Sequence, residues 1–447
     1  MSTRQPTEIR FCILVLYSSV LPTSIGSHFL NRVLLFAAMA SMSLLGCSRG
    51  PEAEFTLSVP WALTGGRVVL DSHTHTVFSD GALPPMQLAE KAVENGCTAI
   101  AITDHGDLSV RAATPEYFDE VDAIRAKFPK MIVFAGLEWN IPPYLGREHV
   151  TVLLEPSRER QILPEFKARF EEKNAAVDVA LPWLAAQTGG PENVALIYNH
   201  PSRLDSDPDE NYRDYTKWQA QQDLFIGFEG GPGHQKSQPP GDYRGAIRTR
   251  DRWDPVVAEI GGTWDRLLDQ GRSVWGALAV SDYHNDRDFA PCEFARTYLR
   301  IPQKDHRGIL QALRAGSFWA GHGRVLDDLA FIAVHPALGL PATVGETVRL
   351  RRSSSMPTFR VALKRGPAGA DLPLTVEIIG NGVSGKPESV ARGVIGARAN
   401  TFDWTPTALV AGEDTRSAYF RARVTARSSA GDVLVAYTNP IRILVRD

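Results

Sequence analysis

Cysteine is scarce in this chain, four residues in 447, and no two of them form a CxxC pair. A disulfide framework and a zinc ribbon are thereby excluded. Neither sign of charge is in excess: 48 Lys and Arg stand against 51 Asp and Glu, a formal net charge of -3. A bulk electrostatic reason to bind nucleic acid is missing. The apolar run at 33–45, VLLFAAMASMSLL, falls short of the roughly 20 residues needed to cross a bilayer. With 43% hydrophobic and 22% charged residues, the chain is not disordered, collagen-like or coiled-coil. What needs explaining is the placement of its 11 histidines.

The apolar run follows Arg32 and ends at Gly46-Cys47, the layout of an export signal. Leu44-Leu45-Gly46-Cys47 resembles a bacterial lipobox, whose cysteine is lipidated and becomes the new first residue. The alternative, a buried core helix, would show a charged face, and none accompanies the run. Residues 1–47 are read as an export signal and 48–66 as a tether. The expectation is an exported, lipid-anchored protein at the bacterial cell envelope, facing the periplasm and meeting the membrane only through the lipid on Cys47. Cys97 and Cys292 read as buried thiols, and an exported location would permit a bond between them; both readings stay open.

Two bodies follow. From Arg67 to about residue 326, short apolar runs alternate with amphipathic stretches. Strands are expected at 68–70, 98–102, 131–137, 149–154, 194–198, 224–228, 274–280 and 295–301. Helices are expected at 85–95, 115–128, about 255–270 and 305–315. Near-continuously apolar strands between helices argue for a covered parallel sheet. Residues 155–195, 202–222 and 231–253 read as pocket-shaping insertions. Beyond 327 the texture changes: Phe420, Ala422, Val424 and Ala426 alternate with Arg421, Arg423, Thr425 and Arg427, the period of a half-buried strand. Residues 327–447 are read as a small β-sandwich accessory domain.

The histidines mark strand ends. His73 and His75 follow the first strand and point to one side, as residues i and i+2 do in extended chain. Asp104-His105 follows the second strand and Glu138 the third; His149 opens the fourth, Asn199-His200-Pro201 closes the fifth, and Asp282-Tyr283-His284 closes a late one. In a parallel barrel these ends share one face. Six imidazoles crowded with carboxylates would repel or lose hydration unless a cation organised them. A divalent metal is the simplest account.

His73-x-His75 with Asp80-Gly81, Thr103-Asp104-His105, Glu138, His149, Asn199-His200-Pro201 and Ser281-Asp282-x-His284 resemble the ordered motifs of the polymerase and histidinol phosphatase (PHP) domain. The resemblance implies a distorted (β/α)7 barrel over 67–326, with two or three divalent ions (Zn, Mn or Fe) at its C-terminal mouth. The implied ligands are His73, His75, Asp80, His105, Glu138, His149, His200, Asp282 and His284, with Glu138 bridging two ions. Asp80 stands where some relatives have histidine. Trp264-Asp265-Arg266-Leu267-Leu268, Ala312-Leu313-Arg314-Ala315-Gly316 and Thr438-Asn439-Pro440 are similar to an exported subgroup containing carbaryl hydrolases, which cleave a carbamate ester.

The expected chemistry is hydrolysis of a small-molecule ester by a metal-bound hydroxide. His73, His75, Glu138, Asp282 and His284 would act through it. Asp104 is expected to orient His105 or its loop, and Arg203 is a candidate phosphate clamp, or else a surface arginine. His234, His306 and His322 match no motif position. A phosphoesterase acting on a phosphate mono- or diester is the first reading. A carbamate or carboxylic ester hydrolase with the same site is the second, and a non-catalytic envelope binding protein the third.

Overall fold

A computed structural model describes residues 51–142, 149–171, 176–410, 417–428 and 431–446. The export signal and Cys47 lie outside the described residues. Pro51–Asp447 forms one compact unit.

The chain opens with β1 (Ala53–Leu57) and β2 (Gly66–Asp71), then α1 (Pro85–Glu94), β3 (Ala99–Ile102), α2 (Pro115–Lys127), β4 (Ile132–Ala135) and β5 (Leu137–Asn140). Next come β6 (His149–Leu154), α3 (Pro156–Phe170), α4 (Val177–Thr188), β7 (Val194–Tyr198), α5 (Pro208–Gln221) and β8 (Phe225–Phe228). The short α6 (Pro255–Ala258) and α7 (Thr263–Asp269) precede β9 (Ala295–Ile301), α8 (His306–Ala315) and β10 (Phe318–His322). The remainder is all β: β11 (Leu326–Val334), β12 (Ala342–Thr343), β13 (Thr347–Arg351), β14 (Thr358–Arg365), β15 (Leu374–Gly380), β16 (Glu388–Ile395), β17 (Thr401–Trp404), β18 (Ala418–Arg427), β19 (Val433–Thr438) and β20 (Ile441–Arg446). This is a mixed α/β molecule with extensive sheet.

Local sequence explains the boundaries. Proline at the first position starts α1, α2, α3, α5 and α6, where its missing N–H costs nothing. Asp207 and Glu210 close a capping box on α5, and Gly316 ends α8 in the left-handed conformation, φ 70°.

β2, β3 and β4 are parallel, but β9 runs antiparallel to β2. In the second sheet β6 is antiparallel to both β5 and β7, while β7 and β8 are parallel. The expected all-parallel arrangement is therefore corrected to a mixed one. The reversal of β6 matters for the site, since it puts the first residue of β6, His149, and not its last beside Glu138 of β5. Residues 274–280 are also corrected: they touch β8 and its continuation through single bridges, Gly227 to Trp275 and Gly231 to Ala279, and form no regular strand. Glycines in this region let backbones meet. A Cβ on Gly227 would fall 1.7 Å from the Trp275 carbonyl oxygen, so a ladder with side chains has no room.

The stretch read as a tether holds β1, which pairs antiparallel with β13 and buries Ala53. Two of the expected insertions are helical, α3 and α4 within 155–195 and α5 within 202–222. The β-rich tail is hydrogen-bonded to the first body, because β19 pairs with β10 and β10 with β9. Arg421, on the face expected to be polar, is fully buried and paired with Asp265 of α7 at 3.0 Å. Its guanidinium also lies 4.5 Å from the centre of the Trp264 ring. One face of β18 thus lies in a core, while on the other Arg421 is covered by α7, Arg423 pairs with Asp251 and Arg427 is exposed.

Candidate metal centre

The site is organised by the end of β2. Asp71 is buried and accepts backbone N–H groups from Ser281 and Cys292 at 3.1 and 3.3 Å. Burial pushes its carboxyl up to about 6, against the pull of those hydrogen bonds. The chain then stays extended, and segment 281–283 is pinned alongside it: Asp282 N–H donates to the His73 carbonyl and His75 N–H to the Tyr283 carbonyl, both at 3.0 Å. His73 and His75 consequently face the same space, Nε2 to Nε2 at 3.0 Å.

Glu138, at the start of β5, lies at the centre. Its Oε1 is 3.2 Å from His73 Nε2, 3.1 Å from His149 Nδ1 and 3.3 Å from His200 Nε2. Its Oε2 is 3.3 Å from His75 Nε2 and 3.0 Å from His105 Nδ1. The two oxygens thus face different sets of histidines. Asn199 donates to Oε1 at 2.8 Å. Asp282 mirrors this on the other side, with Oδ1 at 3.4 Å from His73 and 3.3 Å from His75. Asp80 sits nearer solvent, its Oδ2 at 3.5 Å from His105 and 3.3 Å from His284. Gly81 beside it is obligatory, since a Cβ would lie 2.4 Å from the His75 carbonyl carbon. Asp104 accepts from Thr76 N–H, the Thr76 hydroxyl and the Ser79 hydroxyl at 2.8, 2.7 and 2.6 Å. Of the two roles expected for it, holding the 75–81 loop is what its hydrogen bonds do.

These contacts have the spacing of a coordination shell. Donors about 2.1 Å from an ion lie roughly 3.0 Å apart on an octahedral edge and 3.4 Å apart on a tetrahedral one. Four overlapping groups have donor atoms mutually within 4.8 Å: His75, Asp80, His105 and His284; His73, His75 and Asp282; His105, Glu138 and His149; His234, Asp282 and His284. Nitrogen and carboxylate donors without thiolate suit Zn, Mn or Fe, so the residues present fit the implied ions. Eight of the nine expected ligands fall in these groups; His200 falls in none of them and meets the cluster through Glu138 Oε1, 3.3 Å from its Nε2.

The electrostatics express the same crowding. Burial opposes a charge on His73, yet Glu138, Glu229 and Asp282 hold its pKa well above the ordinary range. His105 is opposed by burial but raised to about 11 by Glu138 and Asp80. For His75, burial and the neighbouring His284 and His105 act together and lower it. Burial would raise Glu138 and Asp282, but the histidines around Glu138, and His73, His234 and Arg203 around Asp282, hold both far below the carboxylate range. Such opposed shifts within one cluster mark a functional site.

Sequence reasoning missed several members. Glu229, directly after β8, lies 2.8 Å from His73 Nδ1 and accepts the His200 N–H at 3.2 Å. A carboxylate on Nδ1 leaves the Nε2 lone pair for the centre. A strand-end acid after an apolar run, the signature that marked Glu138, was its available signal. His234 reaches Asp282 Oδ2 at 3.3 Å and is held by Asp288 at 2.7 Å; no spacing in the sequence announces it. His306 instead bonds the Val133 carbonyl at 2.9 Å. His322 is buried beside Phe294 and Trp253, outside the donor groups. Arg203 is not a surface residue: Nη1 lies 2.7 Å from Asp282 Oδ2 and Nε donates to the Gly241 carbonyl at 3.0 Å. Non-glycine residues with left-handed backbone, His200 (φ 28°), His234 (54°) and Asp282 (48°), gather here, as strained residues do at functional sites. Cys97 and Cys292 are bonded, with Cα atoms 5.6 Å apart.

The family comparison falls on this region. The PHP domain matches residues 71–174. That span carries His73, His75, Asp80, His105, Glu138 and His149; His200, Asp282 and His284 come from beyond it. Over 75 residues the chain is 40% identical to an uncharacterized protein of Methanocaldococcus jannaschii, covering 16% of this chain and 34% of that one. Over 84 residues it is 34% identical to a DNA polymerase/3'-5' exonuclease of Bacillus subtilis, covering 17% and 15%. Over 82 residues it is 35% identical to a probable phosphatase of Caldanaerobacter subterraneus, covering 18% and 32%. The chain spans about a third or less of the length of these curated relatives. Among solved structures, a two-domain protein of Bacteroides vulgatus containing a predicted PHP-like metal-dependent phosphoesterase aligns with a TM-score of 0.44 and 16% identity, over 86% of this chain and 98% of that one. An amidohydrolase of Chromobacterium violaceum aligns with a TM-score of 0.30 and 15% identity, over 48% and 88%.

Proposed function

We propose that this protein is a metal-dependent phosphoesterase of the PHP kind, with its site at the mouth of a distorted (β/α)7 barrel and 327–447 as an accessory β-sandwich. The observation that carries the reading is Glu138, whose two oxygens face five imidazoles at 3.0 to 3.3 Å. Divalent ions bound there would supply Lewis acidity and lower the pKa of a coordinated water. The chain's own residues do the rest. His73, His75, Asp80, His105, Glu138, His149, His200, Asp282 and His284 hold the ions, Glu229 fixes the His73 ring, and Arg203 brings a guanidinium against Asp282 where an ester's charge would build. The probable phosphatase among the relatives supports this reaction class.

The carbamate or carboxylic ester alternative uses the same cluster, and likeness to the carbaryl-hydrolase subgroup rests on scaffold such as Asp265. A buried arginine at the mouth favours the charged substrate. A non-catalytic binding protein would hold ions with the same donors and is separated from the enzyme readings by turning over no ester at all. We further propose export and lipid attachment at Cys47; the Cys97–Cys292 bond supports an oxidising compartment. The test is metal analysis of the purified protein followed by an ester panel. An aryl phosphate should turn over and a naphthyl carbamate should not; the reverse result would replace this reading with the carbamate one.

A further inference from the structure

We propose that the end of the β-rich tail where the chain enters β1 is a docking face for an anionic phospholipid bilayer, made of the apolar loop 335–341 and of Arg351, Arg352 and Arg446. The proposal rests on lipid attachment at Cys47 and goes beyond it, because a lipid fixes one point of the chain whereas a face fixes how the molecule stands on the membrane.

Several segments meet at this end. Ala53 opens β1 opposite Leu350, and the Glu52 carbonyl accepts the Arg351 N–H at 2.9 Å and the Ser354 hydroxyl at 2.7 Å. Arg351, the last residue of β13, pairs with Arg446, the last of β20, and Arg352 N–H donates to the Arg446 carbonyl at 2.7 Å. The turn from β13 to β14 then carries Ser355, whose carbonyl oxygen lies 3.0 Å from His335 Nε2. His335 starts the loop from β11 to β12. Cys47 precedes Ala53 by six residues, so the covalent chain can place a lipid no farther than roughly 20 Å from this end.

The loop is suited to hydrocarbon. From Leu329 to Gly345 the chain carries no Asp, Glu, Lys or Arg. Leu340 is 65% exposed and Val334 41%, and Pro336 and Ala337 are exposed with them. One apolar residue on a surface is ordinary, whereas several on a single uncharged loop mark a contact site. The loop is also held in shape. His335 is buried, its Nδ1 accepts the Ala337 N–H at 3.1 Å, and Leu338 packs against the apolar core of the tail. Glu54 and Asp403, which share this end, are matched by Arg349 at 2.6 Å and Arg360 at 2.7 Å. The guanidinium groups of Arg351, Arg352 and Arg446 stand beside Glu52, and such groups pair with lipid phosphates at an anionic surface.

The segment that carries His234 lies toward the opposite end. β18 starts beside β20, Ala418 opposite Ile443, and runs ten residues, about 30 Å of extended chain, to its hairpin with β19. There Asp432 meets Arg252 at 3.0 Å and Arg423 pairs with Asp251, both partners within 231–253. A bilayer against the entry end thus leaves that segment, and the cluster His234 joins, on the side of dissolved substrate.

The experiment uses the protein as a bacterial host yields it, with mass spectrometry reporting whether Cys47 carries a lipid. An environment-sensitive fluorescent amino acid is placed at Leu340, at Ala337 or, as reference, at Arg427, which is exposed at the end of β18. Each protein is reconstituted on vesicles containing nitroxide-labelled lipid. On phosphatidylglycerol vesicles the expected result is quenching of about twofold or more at 340 and 337 and none at 427, relieved on phosphatidylcholine vesicles and by Arg351→Glu combined with Arg446→Glu. No quenching at 340 and 337, or the same quenching at all three sites, overturns the face. So does quenching indifferent both to lipid charge and to the double substitution. Ala337 carries the test by itself should the change at Leu340 disturb folding. Failure of the face and failure of the anchor are distinguishable. A lipidated protein unquenched at 340 and 337 sinks the face and leaves the anchor. A protein without lipid on Cys47 that is still quenched at 340 and 337 sinks the anchor and leaves the face.

Discussion

Glu138 and Glu229 do different work at the scale of single residues, and substitution separates them. Glu138 touches five imidazoles through its two oxygens. Removing its charge in Glu138→Gln should cut metal content and lower hydrolysis by about 100-fold or more, read by elemental analysis and turnover; full metal content would contradict its placement as a ligand. Glu229 touches no ion position directly and acts through His73 Nδ1. Glu229→Gln keeps an acceptor but loses the charge, so metal affinity should fall by roughly 10- to 100-fold in a chelator competition, with fold retained by circular dichroism. An unchanged affinity would reduce Glu229 to a packing residue. The histidine pairs were legible because i and i+2 in extended chain must share a side; His73 with His75 and Asp282 with His284 needed no more than that. His234 was not legible, since its position depends on Gly233 fitting against Asp282, a contact between segments far apart in sequence.

Among the elements, β18 and α7 meet through a buried ion pair, Arg421 with Asp265, both side chains fully inaccessible. Breaking one partner leaves the other charge unpaired in the interior. Arg421→Met alone should therefore destabilise by about 3–5 kcal/mol, whereas Arg421→Met with Asp265→Leu should recover most of that loss. Urea unfolding of the three proteins measures this, and equal losses in single and double variants would show that packing, not charge, governs the contact. The alternation of β18 announced a strand but not that Arg421 on its polar face would be buried; the surface covering it belongs to α7, some 150 residues earlier in the chain. Strand directions were equally hidden. An apolar run such as 149–154 reads the same in either direction, and only pairing between β5 and β7 sets β6 antiparallel.

For the molecule as a whole, the Cys97–Cys292 bond closes a loop across 195 residues and ties the entry to β3 to the segment following His284. Replacing both cysteines by alanine should lower stability by about 2–4 kcal/mol, measured as the shift in urea midpoint against the oxidised wild type; no shift would mean that the surrounding packing already holds those segments. Helices α1, α2 and α8 and most strands of the first body were visible as apolar periods, and the β-rich tail as a change of texture, whereas α3, α4 and α5 lie in stretches that read as insertions. That the tail continues the first body's sheet through β10 and β19 depends on long-range pairing that no local period records. The claim on which everything turns is that distant side chains meet around cations. Its most direct test is anomalous diffraction from crystals grown with manganese or zinc, at the metal's absorption edge. Two or three strong peaks are expected among His73, His75, Asp80, His105, Glu138, His149, His200, Asp282 and His284, with their loss in Glu138→Gln. A density map with the nine side chains assembled and no peak among them would contradict it.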